Sequence, residues 1–196
     1  METAVNKIAI AIAGCGAVCA TGMGLAPLQR AVAANASALQ SRELVIGKTS
    51  QSIVAGFVPD EIVKQLRAAD VAHADSRAFL FAAAALEEAT KKAEKVLGLV
   101  HAGRRGFVLS TTKANIEALE TLVRQQPVSA VAQRQIHPAF LAADLAAAFD
   151  CRGPVQSISF LHVKLAICFF SFTFPLQESM KQINGGAACS TFSSRR

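Results

Sequence analysis

The sequence predicts an α/β fold, and three observations lead to that class. Short apolar runs rich in Ile and Val alternate along the chain with amphipathic stretches of helical period. Their order is strand–helix–strands–helix–strand–helix–helix–strand, which is typical of α/β proteins. The 196 residues are 52% hydrophobic and only 17% charged, so the chain has room for one domain with a buried core.

The first third of the chain predicts strands and two short helices. Residues 5–13 alternate Ile with Ala and predict a buried strand, and Gly14-Cys15-Gly16 predicts the turn after it. Residues 26–34 predict a helix that carries Pro27 in its first turn. Short strands are expected at 44–46 and 52–58, followed by a helix at 60–66 after Pro59.

The strongest helical pattern covers residues 75–97. Two Glu/Lys pairs at i,i+4 spacing, Glu87 with Lys91 and Glu88 with Lys92, are expected on its solvent side. The apolar stripe consists of Phe79, Ala82, Leu86, Ala89, Ala93 and Leu97.

The remaining elements complete the α/β pattern. Residues 106–110 predict a strand, and Thr111 and Thr112 are expected to cap the helix that follows. A further helix begins at Pro138, and residues 155–160 predict the last strand. The apolar positions of the two helices are Ile116, Leu119, Val123, Leu141, Leu145 and Phe149.

Composition changes abruptly near residue 150. Of the 38 alanines, 35 lie in residues 1–150, whereas six of the 12 phenylalanines lie in the last 46 residues. The net charge of +6 divides into +2 for residues 1–150 (15 basic, 13 acidic) and +4 for residues 151–196 (five basic, one acidic). Such a break marks a domain boundary, a targeting tail or a change of reading frame.

Composition also excludes several classes of function. Basic residues concentrate in the tail, and there is no Trp or Tyr to stack on bases, so we expect no nucleic-acid partner. The five cysteines contain no CxxC pair, which argues for buried thiols rather than a metal site. The N-terminus lacks the basic region and long apolar stretch of a signal peptide. The apolar run at 158–174 contains His162 and Lys164, which argues against a membrane span.

The turn that begins at Gly14 matches two-thirds of a dinucleotide-binding fingerprint. Cys19 replaces the third glycine, and Glu43 begins a strand where the ribose-binding acid should end one. A structural turn is therefore the favoured interpretation, with a small nucleotide-binding domain as an alternative.

Several motifs, taken in order, resemble the β-ketoacyl-[acyl-carrier-protein] synthases. KIAIAIAGCGAVCATG at 7–22 is similar to their opening strand and turn, and VAGFV at 54–58 to a later strand. The Ala-rich helix at 79–97 and FVLSTTK at 107–113 follow at similar spacing. RGPVQSIS at 152–159, with Gly153, Pro154 and Ser159, resembles the strand that presents their nucleophile.

This resemblance implies the N-terminal half of a thiolase-like layered fold over residues 1–160, followed by a divergent Phe-rich tail at 161–196. The implied chemistry is decarboxylative Claisen condensation in fatty-acid or polyketide synthesis, an acyltransferase reaction in the cytoplasm. Its partners would be acyl carrier protein and a synthase-like dimer partner. No cofactor of its own is implied, because substrates arrive on the phosphopantetheine of the carrier.

The sequence departs from the family at the nucleophile. The resemblance places His162 where the family has its cysteine, and Cys168 lies six residues too late in a Phe-rich stretch without a helix start to activate it. The other histidines, His73, His101 and His137, are expected on the surface or in caps, unpaired with any carboxylate. The sequence therefore predicts no catalytic residue in this chain.

A single change of reading frame near codon 160 would explain the break in composition, the shift in charge and the end of the resemblance. Residues 161–196 are then either an out-of-frame tail or a genuine variant tail that anchors or pairs the chain. The leading hypothesis is a truncated synthase-like chain without activity of its own. A non-catalytic partner subunit is the first alternative, the nucleotide-binding domain is the second, and a tail-anchored or lipid-modified protein is the third.

Overall fold

The computed structural model describes residues 11–46, 49–159 and 166–168. Over these residues the protein is mixed α/β, with helices packed around small sheets, which confirms the predicted class at that level. The predicted strand at 5–13 lies mainly outside the described residues, and residues 11–13 have no regular secondary structure.

The N-terminal part consists of a small ribbon and a helix. Strand β1 (Val18–Cys19) pairs antiparallel with β2 (Gly22–Met23), and helix α1 (Leu25–Ala33) follows. Pro27 lies in the first turn of α1, where a proline removes no intrahelical hydrogen bond. This helix is confirmed to within one residue.

A long hairpin and a second helix come next. Strands β3 (Leu39–Ile46) and β4 (Thr49–Gly56) pair antiparallel, in a register from Leu39 with Gly56 to Ile46 with Thr49. Both predicted strands are confirmed in position: β3 begins five residues before the expected 44, and β4 begins three residues before the expected 52 and ends two before 58. Helix α2 (Asp60–Ala69) begins after Pro59 as predicted and is followed by a 3₁₀ turn (Val71–His73).

The long Ala-rich helix forms the centre of the domain. Helix α3 (Arg77–Lys92) begins at Ser76, whose hydroxyl accepts a hydrogen bond from the amide of Phe79. The predicted helix at 75–97 is divided, because the backbone turns at Ala93 before a short helix, α4 (Glu94–Leu97). The buried side chains of α3 are Phe79, Leu80, Ala82 and Leu86.

The central sheet has the order β6-β5-β7. Strand β5 (Phe107–Ser110) pairs parallel with β6 (Val155–Ile158) and antiparallel with β7 (Ala166–Cys168). A 3₁₀ turn (Ala102–Arg104) precedes β5. Both predicted strands are confirmed in position, although β6 ends at Ile158 and residue 160 lies outside the described residues.

Three helices connect β5 to β6. They are α5 (Ile116–Val123), α6 (Ala130–Arg134) and α7 (Pro138–Ala148). Helix α7 packs on the sheet through its buried residues, and Phe149 packs partly buried against the same core. The core joins α3, β5 and α7 through Phe79, Leu86, Phe107, Leu109, Leu141 and Leu145.

Helix α5 differs from the prediction in its N-cap residue and in the face that it buries. Its N-cap is Asn115, whose side-chain oxygen accepts from the amide of Ala118, and not Thr111 or Thr112. The expected apolar face is exposed: Leu119 is 41% accessible, whereas Ala118 is buried. Helix α5 contacts α6, where Ala132 is also buried.

Candidate functional site

Strand β6, which is expected to present the nucleophile, is an edge strand of the central sheet. Gly153 and Pro154 lead into β6, and Ser159 follows it directly. A Cβ atom on Gly153 would lie 2.9 Å from the carbonyl oxygen of Arg105, so only glycine allows this approach of the chain to the turn before β5. His162, at the family's nucleophile position, lies outside the described residues.

A cavity of about 270 Å³ opens at the carboxyl ends of β5 and β6. The carboxyl ends of parallel strands are where α/β proteins most often bind ligands. Its lining combines hydroxyl groups, one amine and aliphatic side chains, from Thr112, Lys113, Ala114, Asn115, Ile116, Leu119, Ile136, Pro138 and Ser159. This lining could contact a small amphipathic ligand, but the described residues that form it include no thiol, imidazole or carboxylate for acyl transfer or proton transfer.

Buried hydrogen bonds hold the loop that forms one wall of this cavity. The Thr111 hydroxyl donates to the carbonyl of Lys113 at 2.7 Å. The Asn115 side-chain amide donates to the carbonyls of Asp75 at 3.2 Å and Ala132 at 3.4 Å. Asn115 is 2% exposed, so it ties α3, α5 and α6 together inside the protein. Sequence reasoning missed this residue, although Asn before a helix is a common cap.

A second cavity, of about 310 Å³, lies beside the same loop, between the end of the hairpin and the first turns of α3 and α5. An ion pair between Arg77 and Glu117 crosses its wall. The Arg42 guanidinium stacks over the Phe57 ring at 4.3 Å. Both arginines are thus engaged by neighbouring side chains, and the lining holds no nucleophile beside a base.

The described thiols lie away from the first cavity. Cys15 is exposed, and Cys19 lies 3.1 Å (Sγ to Oγ1) from the hydroxyl of Thr21. Cys151 is buried, and burial raises the pKa of its thiol, against a smaller lowering by Arg105. A neutral, desolvated thiol is a poor nucleophile. Cys168 lies in β7, opposite Val108 of β5.

The predicted turn at Gly14-Cys15-Gly16 is not formed, because this segment lies without regular secondary structure along α3. Cβ atoms on Gly14 and Gly16 would lie 2.1 Å and 1.9 Å from the carbonyl oxygens of Ala89 and Ala85 on α3. Glycine is therefore required because the segment lies directly on the backbone of the helix. This close approach favours a packing role for the two glycines over a nucleotide-binding one.

The N-terminus of α1, where a dinucleotide phosphate would bind, already holds a carboxylate. The Leu25 amide lies 3.0 and 3.1 Å from the two Glu88 carboxylate oxygens, and the Ala17 amide donates to one of them at 3.2 Å. Glu88 was expected on the solvent side with Lys92. The ion pair is present, but the carboxylate also faces α1. A phosphate at this helix N-terminus would have to displace the Glu88 carboxylate from the Leu25 amide.

The histidines cap or brace local structure. His101 and His137 each accept a backbone amide hydrogen bond through Nδ1, as expected for caps. The prediction that His73 is unpaired with a carboxylate is wrong, because its Nδ1 lies 2.9 Å from the Asp70 carboxylate. Its ring also stacks on Phe79 at 3.7 Å. This pair lines neither cavity.

No protein-family model matches the chain, and no curated protein is significantly similar to it. The resemblance to β-ketoacyl synthases therefore rests on the ordered motifs of the sequence. Among residues 11–46, 49–159 and 166–168, no three His, Cys, Asp or Glu side chains are grouped to hold a metal ion. In the same part of the chain, no helix is both long and apolar enough to cross a membrane.

Proposed function

We propose that this cytoplasmic chain is related to the N-terminal half of the β-ketoacyl-[acyl-carrier-protein] synthases, with a thiolase-like fold, and does not catalyse condensation by itself. The main support for the proposal is the residue at the position of the family's nucleophile. The family's cysteine is replaced by His162 in the sequence, and the cavity at the end of β6 is lined by hydroxyl, amine and aliphatic groups.

The geometry of the other thiols supports the absence of activity. A condensing enzyme needs a thiolate that is activated at a helix N-terminus and open to the acyl thioester. Cys151 is buried and its pKa is raised, while Cys15 lies on the segment packed against α3. Neither residue lines the cavity where β5 and β6 end.

The packing of the motif residues supports the family relationship. Strands β5 and β6 pair parallel and are connected through α5, α6 and α7, a crossover connection that α/β enzymes share with many other α/β proteins. Gly153 is needed where β6 begins, and Gly14 and Gly16 are needed against α3. The glycines in the matched motifs thus have physical reasons to be glycine.

Incubation of the full chain with an acyl thioester and malonyl thioester of acyl carrier protein tests the proposal. We expect no acyl adduct on the protein in intact-mass spectrometry and no β-ketoacyl product, while an intact synthase gives both. Acylation of any cysteine together with product formation would refute the proposal.

The coding DNA provides an independent test of the tail. If another reading frame past codon 159 encodes Ala-Cys two residues after Ser159 and then a second α/β half with two histidines, the intact gene encodes a condensing enzyme. If no frame does so, the tail is genuine, and this chain has no nucleophile of the family type.

One observation favours the alternative of a non-catalytic partner subunit. The outward face of α5 presents Ile116, Leu119 and Val123, which are 36%, 41% and 75% exposed. An aliphatic row of this kind on one helix is suited to cover by another subunit. Co-expression with an intact synthase should then give a complex that Leu119→Lys weakens and that Leu99→Lys, at an exposed position away from α5, leaves unchanged. Equal recovery of both variants would contradict the partner hypothesis.

A further inference from the structure

Helix α1 has no cap of its own. Its N-cap position is Gly24, which has no side chain, and its first turn contains no acidic residue. The first amides of a helix need acceptors, and a negative charge beside them is stabilising. In this protein the acceptor comes from α3, 63 residues further along the chain, as the carboxylate of Glu88.

The same carboxylate holds a second piece of the N-terminal segment. Glu88 accepts the Ala17 amide, and Lys92 donates both to Glu88 at 2.7 Å and to the carbonyl of Cys15 at 3.3 Å. One ion pair on α3 thus binds the segment from Cys15 to Leu25 at both ends. The glycine contacts with Ala85 and Ala89 lie on the same side of the helix.

We propose that Glu88 and Lys92 form an acid-sensitive clamp, which holds residues 15–25 on α3 while Glu88 is ionised and releases them when it is protonated. A protonated carboxyl group loses the charge that strengthens its bonds to the Ala17 and Leu25 amides and to Lys92. The clamp is a conformational device, separate from the cavity at the end of β6.

The charged surroundings of Glu88 determine the direction of its titration. Lys92 contacts it from the same helix, the first turn of α1 adds no charged side chain, and the segment at Cys15 contributes backbone groups. Hydrogen bonding from Lys92 and then from the Leu25 amide lowers the pKa of Glu88. A carboxyl whose pKa is lowered in the folded state stabilises it above the unfolded value, about pH 4.3, and the clamp is lost as the pH falls through the lower, folded value.

Hydrogen exchange of the full chain, read at the Ala17 and Leu25 amides, tests the clamp. In Glu88→Gln at neutral pH, we expect protection of both amides to fall about tenfold to a hundredfold, because the bonds to a charged acceptor are replaced by weaker neutral ones. Glu87→Gln is the matched control. Glu87 pairs with Lys91 at the same 2.7 Å on the same helix, and within the described part of the chain its carboxylate makes no hydrogen bond or ion pair to another element.

The wild-type chain and two further variants keep the test decisive if Glu88→Gln does not fold. Protection of the two amides should decrease below about pH 4 before the amides of β5 and α7 lose theirs. Lys92→Met should move that midpoint upward, and Lys91→Met should not. The clamp is refuted if Glu87→Gln loosens the segment as much as Glu88→Gln, or if the two amides open only together with the whole domain.

Discussion

Replacing Gly16 by alanine should destabilise the fold, although it adds only one methyl group. The new Cβ would lie 1.9 Å from the carbonyl oxygen of Ala85 and 3.0 Å from the Cβ of Glu88. A carbon and a carbonyl oxygen do not approach so closely, so the segment must withdraw from α3 by about 1 Å. That movement lengthens the bond from the Ala17 amide to Glu88, now 3.2 Å.

The expected cost follows from these two effects. Overpacking of this kind costs about 1–3 kcal/mol, and weakening a hydrogen bond to a charged group costs about 1.5 kcal/mol more. The total of about 2.5–4.5 kcal/mol is a large part of the stability of an ordinary domain. In a chain of this size it lowers the Tm by about 5–18 °C.

Thermal unfolding followed by circular dichroism measures this loss, with Gly98→Ala as the matched control. Gly98 has helical backbone angles, and a Cβ there would lie 3.4 Å from the carbonyl of Glu94, an ordinary contact. That variant should be neutral or slightly stabilising. If Gly16→Ala unfolds within about 2 °C of the wild type and instead abolishes binding of NAD or ATP, the packing argument fails and the turn is a nucleotide site.

Three further outcomes follow from burial and hydrogen bonding. Leu145 of α7 is fully buried, so Leu145→Ala should lower the free energy of unfolding by about 2–5 kcal/mol in a denaturant titration. Leu99 is 88% exposed, so Leu99→Ala should change that free energy little, and similar losses in both variants would contradict the assigned core. Asn115→Ala should cost about 1–3 kcal/mol and expose the amide of Ala118, its capped partner, to exchange. At pH 8, iodoacetamide should alkylate Cys15 well before Cys151, because burial raises the pKa of Cys151; equal rates would contradict that burial.

Local patterns located most helices and strands correctly. The helix at α1, the start of α2, the Ala-rich stretch of α3 and the strand β5 all agree with the sequence, because periodicity and capping residues depend on neighbours within a few positions. The apolar face of α7 was predicted for the same reason. The outward face of α5 was not, because which side of an eight-residue helix is buried depends on what packs beside it.

Part of the candidate site could likewise be predicted from local sequence, and part could not. From their motif, Gly153 could be placed just before a strand and Ser159 just after it, whereas the role of position 162 stays a prediction from the resemblance. The cavity beside Ser159 also depends on Asn115 and on Ile136, which local reasoning had not connected with that strand. Its shape comes from contacts between segments that are distant in the chain.

The sequence by itself determined the alternation of helices and strands. Only the tertiary structure decided what those elements contact, including the approach to the backbone of α3 that requires glycine at positions 14 and 16. The Glu88 carboxylate was predicted as a surface charge from its spacing to Lys92, but it also caps a helix that begins 63 residues earlier. Periodicity records which residues share a face of one element, whereas a bond between Glu88 and Leu25 exists only once two elements have packed together.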